Sequence, residues 1–169
     1  MSKRGYLTAE EYRTLRQILG FTQEEAAKFH CVQNLRTIQR WEKGTSFVSE
    51  LACDKITALF EQVSAVVDAA VDKALEAAEK HPEIEVTMII YPNNCYKKYV
   101  REIGDLPNSV HRAMIGRVYS ELMSCGVKCG VVEFNAQDYF NYMAMHGLTD
   151  TPDTRSAWAA EYREKILLN

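Results

Sequence analysis

Leu35-Arg36-Thr37-Ile38-Gln39-Arg40-Trp41-Glu42-Lys43, closed by Gly44, is the stretch on which the reading of the chain turns. Leu35, Ile38 and Trp41 stand three residues apart, which on a helix of 3.6 residues per turn puts them on one face. Arg36, Gln39, Arg40 and Lys43 follow at i, i+3, i+4 and i+7 and take the opposite face. The apolar face needs a surface to pack on. The opposite face is a strip of guanidinium, amide and ammonium groups, which suits the major groove of DNA. The groove is about 12 Å wide and admits one helix; Arg bonds bidentately to guanine and Gln to adenine.

Upstream, Thr8-Ala9-Glu10-Glu11 and Thr22-Gln23-Glu24-Glu25 are two capping boxes, in which a Thr hydroxyl and a Glu three residues on satisfy each other's backbone N–H groups. The first opens a helix carrying Tyr12, Leu15, Ile18 and Leu19, and Gly20 stops it. The second opens a short helix through Ala26, Ala27 and Phe29, whose small Ala pair lets another helix cross closely. A turn at residues 30–34 then leads to Leu35. Two short helices joined by a tight turn, the second bearing the polar strip, is helix-turn-helix geometry. The competing reading is a three-helix bundle whose polar face is merely solvated. Two capping boxes, short helices, the Trp-Glu-Lys-Gly ending and the basic outward face together favour DNA binding. On this reading Arg36, Gln39 and Arg40 read bases, with Asn34 and Gln33 beside them. Thr22, Gln23, Lys43 and Thr45 contact phosphates, which position the protein without specifying sequence. Ile38 and Trp41 belong to the core.

Thr22-Gln23-Glu24-Glu25-Ala26-Ala27 and Thr37-Ile38-Gln39-Arg40-Trp41-Glu42-Lys43-Gly44 resemble the Xre/Cro-type repressor pattern over about a quarter of the chain. The turn between them is one residue longer than usual and lacks the usual small Gly. In this it resembles a narrower group, the YdiL-like proteins and the anti-CRISPR-associated (Aca) repressors. The resemblance implies operator binding by a homodimer, usually in repression, and implies a bacterial or phage origin. Arg36 and Gln39 match by position residues that read bases in the Aca repressors. The resemblance also implies a C-terminal strand followed by helices, through which chains dimerise.

Composition sets the limits. With 169 residues, 47% hydrophobic and 25% charged, the chain is an ordinary globular one with room for one medium or two small domains. Net charge is −3, but residues 1–46 hold eight basic against five acidic side chains, leaving −6 for the rest. A basic head on an acidic body points a polyanion-facing end outward. No apolar run approaches the roughly 20 residues of a membrane span, and Met1-Ser2-Lys3-Arg4-Gly5-Tyr6 has no apolar stretch behind its charges. Five Cys at irregular positions, with no CxxC pair, read as reduced thiols in a cytoplasmic protein. Cys125 and Cys129 are expected to be buried or half-buried.

Residues 47–82 lack Gly and Pro until His81-Pro82 and carry an apolar stripe from Leu51 to Leu75. They read as one connecting helix of about 45 Å, capped by Ser46 or Ser49, whose first two turns pack on the head. The stripe is core or a dimer seam, core being the safer reading.

Residues 83–169 repeat themselves. Glu85 to Tyr91 and Val127 to Phe134 read as strands, each followed by a helix with two tyrosines, Tyr96 and Tyr99 in one and Tyr139 and Tyr142 in the other. An offset of 43 residues pairs Tyr91 with Phe134, Tyr96 with Tyr139, Val100 with Met143, Arg112 with Arg155, Ile115 with Trp158, Tyr119 with Tyr162, and Glu121 with Glu164. Residues 84–124 and 127–168 thus each read as strand, helix, helix. Thr87-Met88 to Pro92 and Arg117 to Leu122 echo the YdiL segment, here present twice. A lone strand cannot satisfy its edges, so the two strands pair with each other or each with another chain.

The expected fold class is mainly α with a small two-stranded β element: a helix-turn-helix head over 1–46, a connecting helix over 47–82, and an α+β dimerisation domain over 83–169. No GxGxxG, GxxxxGK[ST], HExxH or GxSxG motif occurs, and His30, His81, His111 and His146 lie too far apart for metal-ligand spacing. We therefore expect no enzyme, no cofactor and no metal. The expected partners are double-stranded DNA and a second copy of the chain, without a membrane. The alternatives are an antitoxin that binds a toxin through its body, and a protein-docking or ligand-binding module without DNA binding.

Overall fold

The computed structural model describes residues 7–83, 85–100 and 105–168. In chain order the elements are α1 (Ala9–Ile18), α2 (Gln23–Phe29), α3 (Leu35–Glu42), α4 (Glu50–Lys80), β1 (Val86–Ile90), α5 (Tyr96–Tyr99), α6 (Asn108–Ser124), β2 (Cys129–Glu133), α7 (Ala136–His146) and α8 (Pro152–Leu167). The protein is mainly α, with one two-stranded sheet. No helix of the described residues is long and apolar enough to cross a membrane.

Contacts divide the chain into two compact units, Met1–Val66 with Ser109–Met114, and Val67–Asn108 with Ile115–Asn169. Three short helices are too small to enclose a core of their own. The first unit therefore takes in the first half of α4, not two turns of it, and the opening turns of α6. Ala52, Ile56, Leu59 and Val63 of α4 are all buried, at the three- and four-residue spacing of one helix face, and Val48 just before the helix is buried too. Ser49 caps α4, its hydroxyl accepting from the Ala52 N–H at 3.3 Å.

Both capping boxes form. Thr8 and Glu11 exchange backbone and side-chain bonds at 2.7 and 3.2 Å, Thr22 and Glu25 at 2.8 and 3.1 Å. The core they start is aromatic: Tyr12 meets the edge of Trp41 at 5.5 Å between ring centroids, and His30 lies 5.7 Å from Tyr12 and 5.9 Å from Trp41. Ala26 and Ala27 are buried where α3 crosses α2. Gly20 ends α1 at φ +78°, and a Cβ there would lie 2.7 Å from that of Ala113. The left-handed conformation and the close approach of α6 both require glycine.

The end of α2 is different. The Cys31 N–H bonds the Lys28 carbonyl and the Val32 N–H bonds the Ala27 carbonyl, both at 3.0 Å, a Schellman cap. Its left-handed position is Cys31, at φ 57°, where a glycine is the unstrained choice.

In the second unit β1 and β2 run parallel, with Val86 opposite Cys129 and so on to Ile90 opposite Glu133. The strands therefore pair within the chain. α8 packs against both, and Arg163 crosses the sheet at Gly130, whose missing side chain leaves it room. Arg163 then pairs with Glu85 at 2.6 Å. Phe134, just beyond β2, meets Tyr91, Tyr99, Tyr139 and Trp158 at 4.9–5.3 Å. Tyr96 and Tyr139 are buried and Tyr99 and Tyr142 half-buried. Cys129 is half-buried, but Cys125 is exposed, contrary to expectation, because it caps the open end of α6.

Candidate nucleic-acid interface

α3 begins at Asn34, whose side-chain oxygen accepts from the Arg36 N–H at 2.8 Å. Ile38 and Trp41 are buried, as their spacing requires. Glu42 is buried with them, only 4% exposed. A carboxylate there demands compensation, since an unpaired buried charge costs several kcal/mol. Arg16 of α1 supplies it as a two-pronged fork, Nε on one carboxylate oxygen and Nη2 on the other, the latter at 3.2 Å. Gln23 of α2 donates to the same carboxylate at 2.8 Å. Arg13 donates to the Glu42 carbonyl, and Arg16 also reaches the Phe21 carbonyl at 2.5 Å. Two helices, α1 and α2, are thus tied to the last residue of α3, which fixes how that helix is presented.

The other face of α3 has the opposite character. Arg36, Arg40 and Lys43 are exposed and Gln39 is half-buried. Among the described residues, no carboxylate pairs with Arg36, Arg40 or Lys43. Their charges fall at i, i+4 and i+7, one line along one helix. Asn34 and Gln33 are exposed at its N-terminal end. Thr45 is exposed beyond its C-terminal end, its hydroxyl turned to the Arg40 carbonyl at 3.3 Å. Thr22 is exposed; its hydroxyl accepts within the capping box and keeps its own hydrogen to donate.

The structure thus gathers all nine candidate residues around α2 and α3, seven of them exposed and Gln39 and Gln23 half-buried. Gln23 differs: its amide nitrogen is already spent on Glu42 and its side chain is half-buried. It acts first as part of the lock on α3. Glu42 itself escaped the sequence reading, although a signal was there. Position 42 is four residues after Ile38 and so falls on the apolar face, where a carboxylate announces a cation from elsewhere in the head.

His30 is a second buried polar group of the head. Neither ring nitrogen has a hydrogen-bond partner among the described residues. Burial, with the charge of Lys55 adding, pushes its imidazole down to about 4. At neutral pH it is an uncharged ring in an aromatic cluster.

Fold and surface together define a mainly α protein whose small helical head presents a short basic helix face with no carboxylate partner among the described residues. The chain belongs to the family described as domain of unknown function (DUF4447), whose model matches residues 1–162. No curated protein matches the chain.

Proposed function

We propose that the protein is a sequence-specific DNA-binding transcriptional regulator, a repressor acting as a homodimer in the cytoplasm, with α3 and Lys43 as recognition helix of a helix-turn-helix head. The observation that carries this reading is the division of α3 into two faces. Ile38, Trp41 and Glu42 are locked inside, while Arg36, Arg40 and Lys43 stand exposed without a carboxylate partner among the described residues. Two cations on one eight-residue helix and a third at its C-cap, with no carboxylate partner among the described residues, repel each other and gain when they meet phosphates or guanine edges. The rigid lock at Glu42 supports the reading further, since base reading requires side chains held in one orientation. In a dimer two such helices meet half-sites about 34 Å apart on one face of the duplex.

The test is a mobility shift with the DNA directly upstream of the gene, measured across salt concentrations. The expected result is a discrete complex on that DNA that outlasts binding to random duplex and weakens steeply with salt. Absence of any salt-sensitive shift leaves a protein-docking module as the better description.

A further inference from the structure

We infer that the groove between α7 and α8 is a binding site for a small quaternary ammonium group. Each helix gives the groove one face. Asp138 and Tyr142 of α7 stand at i and i+4, and Trp158, Glu161, Tyr162 and Lys165 of α8 at i, i+3, i+4 and i+7. All six line one cavity of about 130 Å³. Its size sets the first limit. Pockets for drug-sized ligands run to roughly 300–1,000 Å³. A cavity of about 150 Å³ takes one benzene. The groove therefore suits a headgroup and not a nucleotide.

Charge sets the second limit. The Lys165 ammonium donates to one oxygen of Asp138 at 2.6 Å, and the Trp158 indole N–H donates to the other at 2.9 Å. Glu161 is exposed and makes no hydrogen bond and no ion pair among the described residues. Its charge reaches Lys165 only behind that of Asp138. Two carboxylates against one ammonium leave the lining with a negative charge in surplus, which favours a cation.

The rings decide which cation. Trp158 and Tyr162 stack at 4.9 Å, with 19° between their planes. Tyr142, across the groove, meets His146 at 4.6 Å and neither of those rings. Both helices thus bring aromatic groups to the cavity. A methylated ammonium is attracted by aromatic rings and asks for no hydrogen bond. A primary ammonium brings three N–H groups and would compete with Lys165 and Trp158 for Asp138. The site does not depend on the DNA-reading assignment of α3, and either can fail without the other.

The chain has two tryptophans, Trp41 and Trp158, so two indole N–H signals report the head and the groove separately. The experiment is an NMR titration of the full chain with choline, with its uncharged analogue carrying carbon in place of nitrogen, and with methylammonium. Choline is expected to move the Trp158 signal saturably and to leave that of Trp41 in place. The uncharged analogue and methylammonium are each expected to bind roughly tenfold more weakly, or not at all. Glu161→Gln, at an exposed position, is expected to weaken choline roughly two- to fivefold. Tyr142→Leu, which removes a ring and keeps an apolar side chain, is expected to weaken it at least as much. An unmoved Trp158 signal, or choline bound equally by the wild type and both variants, would overturn the site. An uncharged analogue or methylammonium bound as tightly as choline would overturn the ligand class.

Discussion

The rings of Tyr91 and Phe134 lie 5.2 Å apart, each on the residue that follows its strand. Their separation along the chain, 43 residues, is also that of every pair matched between β1 and β2, from Val86 with Cys129 to Ile90 with Glu133. The internal repeat and the ladder register are the same number. Residues opposite one another in a parallel pair point to the same face of the sheet, so the two copies stand side by side in the same sense.

Phe134 is the ring that both copies share, touching Tyr91 and Tyr99 from the first and Tyr139 and Trp158 from the second. Phe134→Ala is expected to cost about 3–5 kcal/mol, the usual price of an aromatic deleted from a packed core. Chemical denaturation measures it. A loss below about 1 kcal/mol would show that the copies do not depend on this contact.

Glu42→Gln leaves the Arg16 guanidinium buried without a counter-charge, its side chain only 11% exposed. Breaking one side of a buried ion pair costs about 3–5 kcal/mol, while replacing both sides by apolar groups is often neutral. Thermal melts should therefore show a large loss for Glu42→Gln and recovery of most of it in Glu42→Met with Arg16→Met. A double variant no more stable than the single one would mean that the carboxylate's bonds to Gln23, rather than its charge, hold α3.

Cys31 adopts φ 57° in the cap of α2. Cys31→Gly removes the strain of a side chain in the left-handed region and is expected to stabilise the head by about 0.5–1 kcal/mol, net of glycine's greater freedom when unfolded. Cys31→Val, β-branched, should destabilise it. Denaturant midpoints of the two variants on opposite sides of the wild type are the expected outcome, and both on the same side would contradict the geometry.

His30 carries a pH dependence whose sign follows from its burial. Its folded-state value, about 4, lies below the ordinary 6.5, so the unfolded chain takes up the proton first. The stability that His30 contributes is present above pH 6.5 and is lost as pH falls toward 4, at no more than about 1.4 kcal/mol per pH unit. His30→Phe, which keeps a ring in the aromatic cluster, should flatten the stability profile in that window. Identical profiles for the two proteins between pH 4 and 6.5 would show that the imidazole is not buried neutral.

Much of this was legible in the residues themselves. Two capping boxes, the Leu35–Ile38–Trp41 spacing and the 43-residue offset are local or periodic signals, and α1 to α3 and both strands lie where these signals put them. What the sequence left open depends on contacts between distant residues. The bond from Gln23 to Glu42 spans 19 positions and that from Arg16 spans 26, and no local pattern announces either. The extension of the head along α4 has the same character. Its buried apolar stripe is continuous from Ala52 to Val71, and only packing decides that the first half serves one unit and the remainder the other.

The most direct test of the account is the affinity of Arg36→Ala, beside the wild type, for the site in the upstream DNA and for a random duplex at one fixed salt concentration. Arg36 is exposed and unpaired among the described residues, so its removal leaves the fold intact. The account expects a loss of about 1–3 kcal/mol on the upstream site and a much smaller one on random DNA. Equal losses on both, or none on either, would contradict it.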